Sequence, residues 1–164
     1  MLYIKKLNAD DGKDVFLMLK TIEVNENEFT NPVNEMTYDE YKEWLKTMDN
    51  WSRGEDLKEG YVPQTIYWLY KDDIPIGIGK IRHKLTDSSR KFGGNIGYAI
   101  SREYRGNGYA TTFLSKLIEQ AKQIPVEDII LTVEKYNDAS KKVIEKNNGI
   151  LIEENDQRWI FRII

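Results

Sequence analysis

Apolar residues recur along this chain at two spacings, and the switches between them divide it into elements. Residues 2–7, Leu-Tyr-Ile-Lys-Lys-Leu, read as a first strand. Within residues 10–23, Val15, Phe16, Leu19 and Ile22 fall at helical spacing and predict a helix. Residues 24–36 break the pattern and read as a loop. Thr37-Tyr-Asp-Glu40 is a capping box, with Met36 and Tyr41 spaced as a hydrophobic staple around it. It predicts a helix from about Thr37 to Asp49 that buries Tyr41, Trp44, Leu45 and Met48. Residues 51–63 read as a loop.

The centre of the chain changes to strand chemistry. Residues 65–70 and 74–85 are rich in β-formers and predict a hairpin turning at Asp72-Asp73. Residues 86–94 read as a second turn and 95–100, Asn-Ile-Gly-Tyr-Ala-Ile, as a third strand in the run. The strongest helical stripe follows Gly108: Ala110, Phe113, Leu114, Leu117, Ile118 and Ala121, stopped before Pro125. Residues 128–133 read as a buried strand and 137–149 as a helix entered at Asn137 or Asp138 and left at Gly149. Residues 150–155 and 158–164 read as a closing hairpin. The predicted order is β-α-α-β-β-β-α-β-α-β-β. Antiparallel meanders and one βαβ crossover sharing a sheet imply an α/β fold (an α+β mixed sheet) with helices on both faces.

Composition narrows the function. A length of 164 residues fits one domain, 1–164, with a substantial core. There is no run of apolar residues long enough to span a bilayer, and the N-terminal residues lack the apolar stretch of a secretion signal. No membrane association and a cytoplasmic location are therefore expected. Cysteine is absent and His83 is the single histidine, which excludes disulfides, thiolate chemistry and a multi-histidine metal centre. No metal is expected. A net charge of −3 supplies no overall basic field, so no nucleic-acid partner is expected. A homodimer is left open.

The candidate chemistry lies at Arg105-Gly106-Asn107-Gly108-Tyr109-Ala110, between the third strand of the central run and the strongest helix. The first N–H groups of a helix have no internal partner, and the helix dipole makes that end positive. Glycines let a phosphate approach such backbone without a Cβ in the way. The segment is not a P-loop, since no Lys-Ser or Lys-Thr follows, and Thr111 occupies the third-glycine position of a dinucleotide-binding fingerprint. A plain glycine turn at a helix start explains the motif equally well when it is read alone.

Its context decides between these. Arg105, Gly108 and Ala110 match [QR]-x-x-G-x-[GA]; the strand 95–100 precedes them, and Asn137-Asp-Ala-Ser140 opens the helix after the next strand. The three in register resemble the GNAT superfamily of acyl-CoA N-acetyltransferases over roughly residues 65–161. Within it, the Asn-x-x-Ser form is similar to the branch with ribosomal-protein N-terminal acetyltransferases, and the segment through 82–98 to uncharacterised bacterial members.

The resemblance implies a GNAT-type fold: a central, mostly antiparallel sheet of about seven strands, helices on both faces, and a splayed pair, the fourth and fifth of the family's sheet. Acetyl-CoA is the implied cosubstrate and an amine of a small molecule or protein the implied acceptor. Pantetheine would lie along Tyr98, Ala99 and Ile100, and pyrophosphate on Arg105, Gly106, Asn107, Gly108, Tyr109 and Ala110. Asn137 and Ser140 would contact the pantetheine arm, and Lys141, Lys142 or Arg102 the adenosine phosphates. A backbone N–H near Ala99 or Ile100 would face the oxyanion. Many relatives carry a tyrosine acid where this chain has Ile144, which leaves Ser140, or more weakly Tyr136, as the acid. Many carry a glutamate base where this chain has Asn95, which leaves His83, Glu134 or a water chain as the base. Glu26 and Glu28 beside Phe29 would attract a cationic acceptor, and Trp44 and Trp51 would line its site or pack. A module that binds CoA, or another phosphorylated ligand, without catalysis is the rival reading.

Overall fold

The structure is a computed structural model; it describes residues 1–126 and 128–164. A four-stranded antiparallel sheet has the order β1 (Leu2–Lys6), β4 (Gln64–Lys71), β5 (Ile74–Arg82), β6 (Ile96–Ile100). A three-stranded antiparallel sheet has the order β7 (Ile129–Glu134), β9 (Arg158–Ile163), β8 (Ile150–Glu154). These seven strands form the central layer. A short hairpin, β2 (Asn25–Glu26) and β3 (Phe29–Thr30), lies apart from both sheets.

Helices cover both faces because the strands are apolar on both. On one face α1 (Lys13–Leu19) and α2 (Tyr38–Ser52) bury Phe16, Leu19, Tyr41 and Leu45 against Trp68 and Ile78. On the other, α4 (Tyr109–Ala121) lays Phe113, Leu114 and Leu117 on Leu69 and Ile81, with α5 (Asp138–Lys146) adding Ile144. At Gly79 a Cβ would come within 2.8 Å of Leu117, so the bare strand position sets how closely α4 sits on the sheet.

The Thr37–Glu40 capping box forms with both hydrogen bonds and starts α2 at Tyr38. Four local expectations are corrected. Helix α2 runs to Ser52 rather than Asp49 and buries Trp51, because the Trp51 indole N–H donates to the Asp56 carbonyl at 3.2 Å; Trp44 is only part-buried. The expected loop 24–36 contains the β2–β3 hairpin and a 3₁₀ turn, Pro32–Glu35. There the buried Asn31 donates to the Leu19 and Ile22 carbonyls and fixes the segment against the end of α1. The expected turn 86–94 contains α3 (Asp87–Lys91), because Thr86 and Ser89 form a second capping box. Finally, the crossover β6–α4–β7 does not put its two strands in one sheet, as the element order alone implies; β6 and β7 belong to different sheets and are the splayed pair that the resemblance implies.

Candidate functional site

The split between β6 and β7 begins at one residue. Asn95 donates its backbone N–H to the Ile130 carbonyl (2.7 Å), and its Oδ1 accepts the Ile130 N–H (2.8 Å). Its Nδ2 reaches back to the Arg82 carbonyl at 3.1 Å. Gly94 permits this close approach: a Cβ there would sit 2.3 Å from the Ile130 oxygen. Beyond Asn95 the strands diverge, and the gap opens a cleft of about 790 Å³.

Strand register shows which backbone groups face the gap. Ser101 N–H bonds Ile76, and Arg82 N–H bonds Asn95, at the two ends of the β5–β6 ladder. Antiparallel alternation then turns Ala99 and Gly97 toward β5, and the N–H and C=O groups of Tyr98 and Ile100 toward the gap. Opposite them, the alternation anchored by Lys135 N–H on Gln157 turns Thr132 and Glu134 backbone inward from β7. The Ile100 carbonyl is taken by Arg105 and the Glu134 carbonyl by the Asn137 N–H, so an extended amide-bearing chain in the gap meets the Tyr98 and Thr132 backbone and the Ile100 and Glu134 N–H groups.

The entrance to α4 supplies the other end. Gly106 and Gly108 sit at φ +79° and +78°, in left-handed conformations that suit glycine, with nothing within 4 Å of a built Cβ. No side chain caps the helix at Gly108, so its first N–H groups have no side-chain partner. Arg105 lies beside them, its Nε on the Ile100 carbonyl (2.9 Å) and Nη1 on Glu26 (3.1 Å). Asn107 turns its amide back onto the carbonyls of Tyr104 and Arg105 and does not line the cleft.

Side chains from both faces of the layer line the cleft. Tyr98, Tyr109, Ala110, Asn137, Ser140 and Ile144 face it from the α4–α5 side, and Phe29, Lys80 and Arg82 from the α2 side. The cleft thus passes through the central layer. Asn137 Oδ1 accepts the Ser140 N–H (3.1 Å), which caps α5. The Tyr98 hydroxyl is buried without a hydrogen-bond partner. Burial raises its pKa above the ordinary tyrosine range, an effect that the Ser140 hydroxyl, near it but out of hydrogen-bond geometry, partly offsets.

A second cleft of about 1030 Å³ opens on the α2 face, walled by Trp44, Met48, Trp51 and Tyr61, with Asp39, Glu40 and Glu43 on α2. Phe29, Thr30, Lys80 and Arg82 line both clefts, so the two meet there.

Other expected residues lie elsewhere. His83 lines neither cleft. It shares the α4-side face of β5 with Ile81, its Nε2 lies 2.7 Å from Thr65 Oγ1, and burial, then Lys6, lowers its pKa. Glu134 sits at the end of β7 in a cluster with Glu28 and Arg158. Arg158 donates to both oxygens of Glu28 (Nη1 to Oε2, 2.6 Å) and lies 3.7 Å from Glu134. Burial raises the Glu28 carboxyl, while Glu134 is lowered by hydrogen bonding with Glu28 and Tyr136. Glu28 itself is held at φ +72°, an uncommon backbone for a glutamate. Tyr136 is exposed; Lys141 lies over the Trp159 ring; Arg102 pairs with Glu23. Of the three candidate phosphate contacts only Lys142 lines the cleft, joined there by Lys146.

Sequence reasoning missed Lys80 and the bonding role of Asn95. Lys80 carries no signal of its own in the sequence, being one of several charges within residues 74–85. Asn95 was read only as a missing base, although an asparagine next to two glycines at a strand start is a signal for irregular backbone pairing.

Comparison with known proteins agrees with this geometry. Solved structures of similar fold are spanned almost end to end. The ribosomal L7/L12 alpha-N-protein acetyltransferase RimL with coenzyme A aligns with a TM-score of 0.72 at 12% identity, over 99% of this chain and 93% of that one. Campylobacter jejuni N-acetyltransferase PseH with acetyl coenzyme A gives 0.62 at 12%, over 99% and 98%. A GNAT-family acetyltransferase from Streptococcus pneumoniae gives 0.65 at 17%, over 99% and 99%. At such identities the likeness establishes the fold. No curated protein matches the sequence significantly. No helix of the described residues is long and apolar enough to cross a membrane. The profile of the acetyltransferase (GNAT) domain matches residues 1–149, and the chain belongs to that family.

Proposed function

We propose that the protein is an N-acetyltransferase that moves an acetyl group from acetyl-CoA directly to an amine, within a single domain spanning 1–164. The observation that carries this reading is the gap between β6 and β7, with the Tyr98 backbone and the Ile100 N–H facing it and an uncapped, glycine-lined helix entrance at its end. The pyrophosphate suits the N–H groups from Gly106 to Ala110 and the Arg105 guanidinium. Pantetheine suits the gap beside Tyr98, Ala99, Ile100, Asn137 and Ser140. Lys142 and Lys146 suit the outer phosphate. CoA-bound RimL and acetyl-CoA-bound PseH are precedents on the same fold.

In this reading the acyl end reaches the α2 face, where the two clefts meet, and the amine enters through the second cleft. The acceptor ammonium first loses one proton; its nitrogen then forms a bond to the thioester carbon and loses a second proton as the C–S bond breaks, the thiolate takes one, and the amide keeps the last N–H. Of the candidate N–H groups for the oxyanion, Ala99 points to β5 and Ile100 faces the gap only at its pyrophosphate end, opposite Gly77; the Tyr98 N–H, opposite Gly79 and next to the Lys80–Gly97 pair, is the gap-facing donor nearer the acyl end. Tyr98, kept protonated by burial, and Ser140 are the hydroxyls that supply the thiolate's proton, a contribution of about 10²–10⁴-fold. Glu26 and Glu28 are each held by an arginine, and His83 is out of reach. Glu134 also lies by Arg158, and water in the second cleft, which Asp39 and Glu43 line, is the proposed route by which the acceptor loses its proton.

The test is thiol release from acetyl-CoA over a panel of small amines and N-terminal peptides, with CoA binding followed by calorimetry. The expected result is saturable CoA binding and turnover on part of the panel. CoA binding without turnover on any panel member would favour the non-catalytic rival, and absence of CoA binding would overturn the assignment of the gap.

A further inference from the structure

The meeting point of the two clefts carries two positive side chains and no counter-charge. Lys80 and Arg82 are two residues apart on β5 and share one face of the strand. Both line both clefts. Arg82 spends Nη1 on the Gly94 carbonyl (2.9 Å). The Lys80 side chain makes no hydrogen bond to the described residues, and its ammonium lies 5.5 Å over the Phe29 ring. Among the described residues no carboxylate comes within ion-pair distance of either. Those on the first cleft are taken: Glu26 pairs with Arg105 and Glu28 with Arg158. Those on the second, Asp39, Glu40 and Glu43, stand on α2 across the cleft, and Glu40 accepts the Thr37 N–H of the capping box.

Two like charges held in partly desolvated positions oppose the fold. Burial lowers Arg82 below its ordinary range, and burial together with the Arg82 charge brings Lys80 down to about 8. Beside the pair, the second cleft offers a large apolar and aromatic surface, Phe29, Trp44, Met48, Trp51 and Tyr61, among its polar residues. A site of this kind is complementary to an anion attached to an apolar body.

We propose that Lys80 and Arg82 form a carboxylate subsite where the acyl donor and the acceptor meet, so that one of the two reactants carries a carboxylate close to its reacting centre. This rests on the acetyltransferase reading of the β6–β7 gap. The favoured source is the acceptor: an amino acid with an apolar side chain, its carboxylate on Lys80 and Arg82 and its side chain among the tryptophans. The other source of the same chemistry is a dicarboxylic acyl group on the donor.

The experiment pairs each apolar amino acid with its amide in the thiol-release assay, using acetyl-CoA, and pairs succinyl-CoA with acetyl-CoA on neutral amines. Wild type, Lys80→Met and Lys80→Arg are compared. The expected result is at least a tenfold higher kcat/KM for the acid than for its amide, lost in Lys80→Met and partly kept in Lys80→Arg. A preference for succinyl-CoA instead, lost in the same variant, assigns the subsite to the donor. Equal turnover of acid and amide together with equal turnover of the two donors overturns the proposal, as does a preference that survives Lys80→Met. Should no panel member turn over, tryptophan fluorescence of the CoA-loaded protein is titrated with N-acetyl amino acids, their amides and succinate. Saturable binding of the carboxylates that Lys80→Met weakens tenfold or more upholds the subsite, and its absence overturns it. CoA affinity of the wild type is measured separately, and failure of CoA to bind it refutes the underlying reading instead.

Discussion

Asn95 and Ile130 exchange two hydrogen bonds, one through backbone and one through the asparagine side chain, and these close the apex of the split between β6 and β7. A side chain here stands in for the next rung of a parallel ladder, and the strands part immediately after it. Asn95 is 2% exposed, so water cannot replace its amide. Asn95→Ala leaves the Ile130 N–H buried and unpaired and is expected to cost about 1–3 kcal/mol. Chemical denaturation measures that loss. Calorimetry is expected to show weaker CoA binding as well, because the gap is no longer held at one width. Unchanged stability would mean that the apex is closed by backbone alone.

The helix entrance gives a prediction with little effect on the core. Gly106 and Gly108 have open space where a Cβ would go, so substitution meets no packed neighbour. Gly106→Val and Gly108→Ala introduce left-handed strain of about 1–3 kcal/mol each and place carbon where a phosphate would approach. The expected outcome is loss of CoA binding in calorimetry, with near-native circular dichroism and a modest fall in Tm. Native CoA affinity in both variants would remove the phosphate from α4.

Tyr98→Phe separates proton donation from binding. The hydroxyl has no partner in the fold, so removing it costs little stability, and the ring keeps its edge-to-face packing on Phe113 at 6.4 Å. We expect kcat to fall about tenfold or more, with the KM for acetyl-CoA nearly unchanged. Equal kcat in the two proteins would pass the thiolate's proton to Ser140 or to water.

How much of this was legible in the sequence follows from the range of each interaction. The α4 stripe, the Thr37 capping box and the Gly106–Ala110 entrance are encoded within a few residues, and all were read correctly in place. The β2–β3 hairpin was not. Its turn at Asn27-Glu28 takes positive φ without a glycine, and Arg158, 130 residues away, holds Glu28. His83 drew attention by chemistry alone, but strand alternation turns it to the α4 face, whereas Lys80, three residues earlier, faces the clefts. One residue of register separates those outcomes, and the sequence pattern does not carry it on a strand buried on both faces.

Lys80 also predicts a pH dependence of stability. Its folded pKa is about 8, against an ordinary 10.5, so between those values the unfolded chain binds more protons and stability rises with pH. Below pH 8 both states are protonated, and the folded state bears the full cost of the buried ammonium, about 3 kcal/mol by the size of the shift. Lys80→Met has no such cost. Wild type is therefore expected to be the less stable of the two at pH 7 and to gain on the variant as pH rises from 8 toward 10. Because the tyrosines titrate in both proteins, the difference between their denaturation curves isolates Lys80. A constant difference across that window would mean that the Lys80 ammonium is solvated in the apo protein, and that its cleft is wetter than its apolar walls imply.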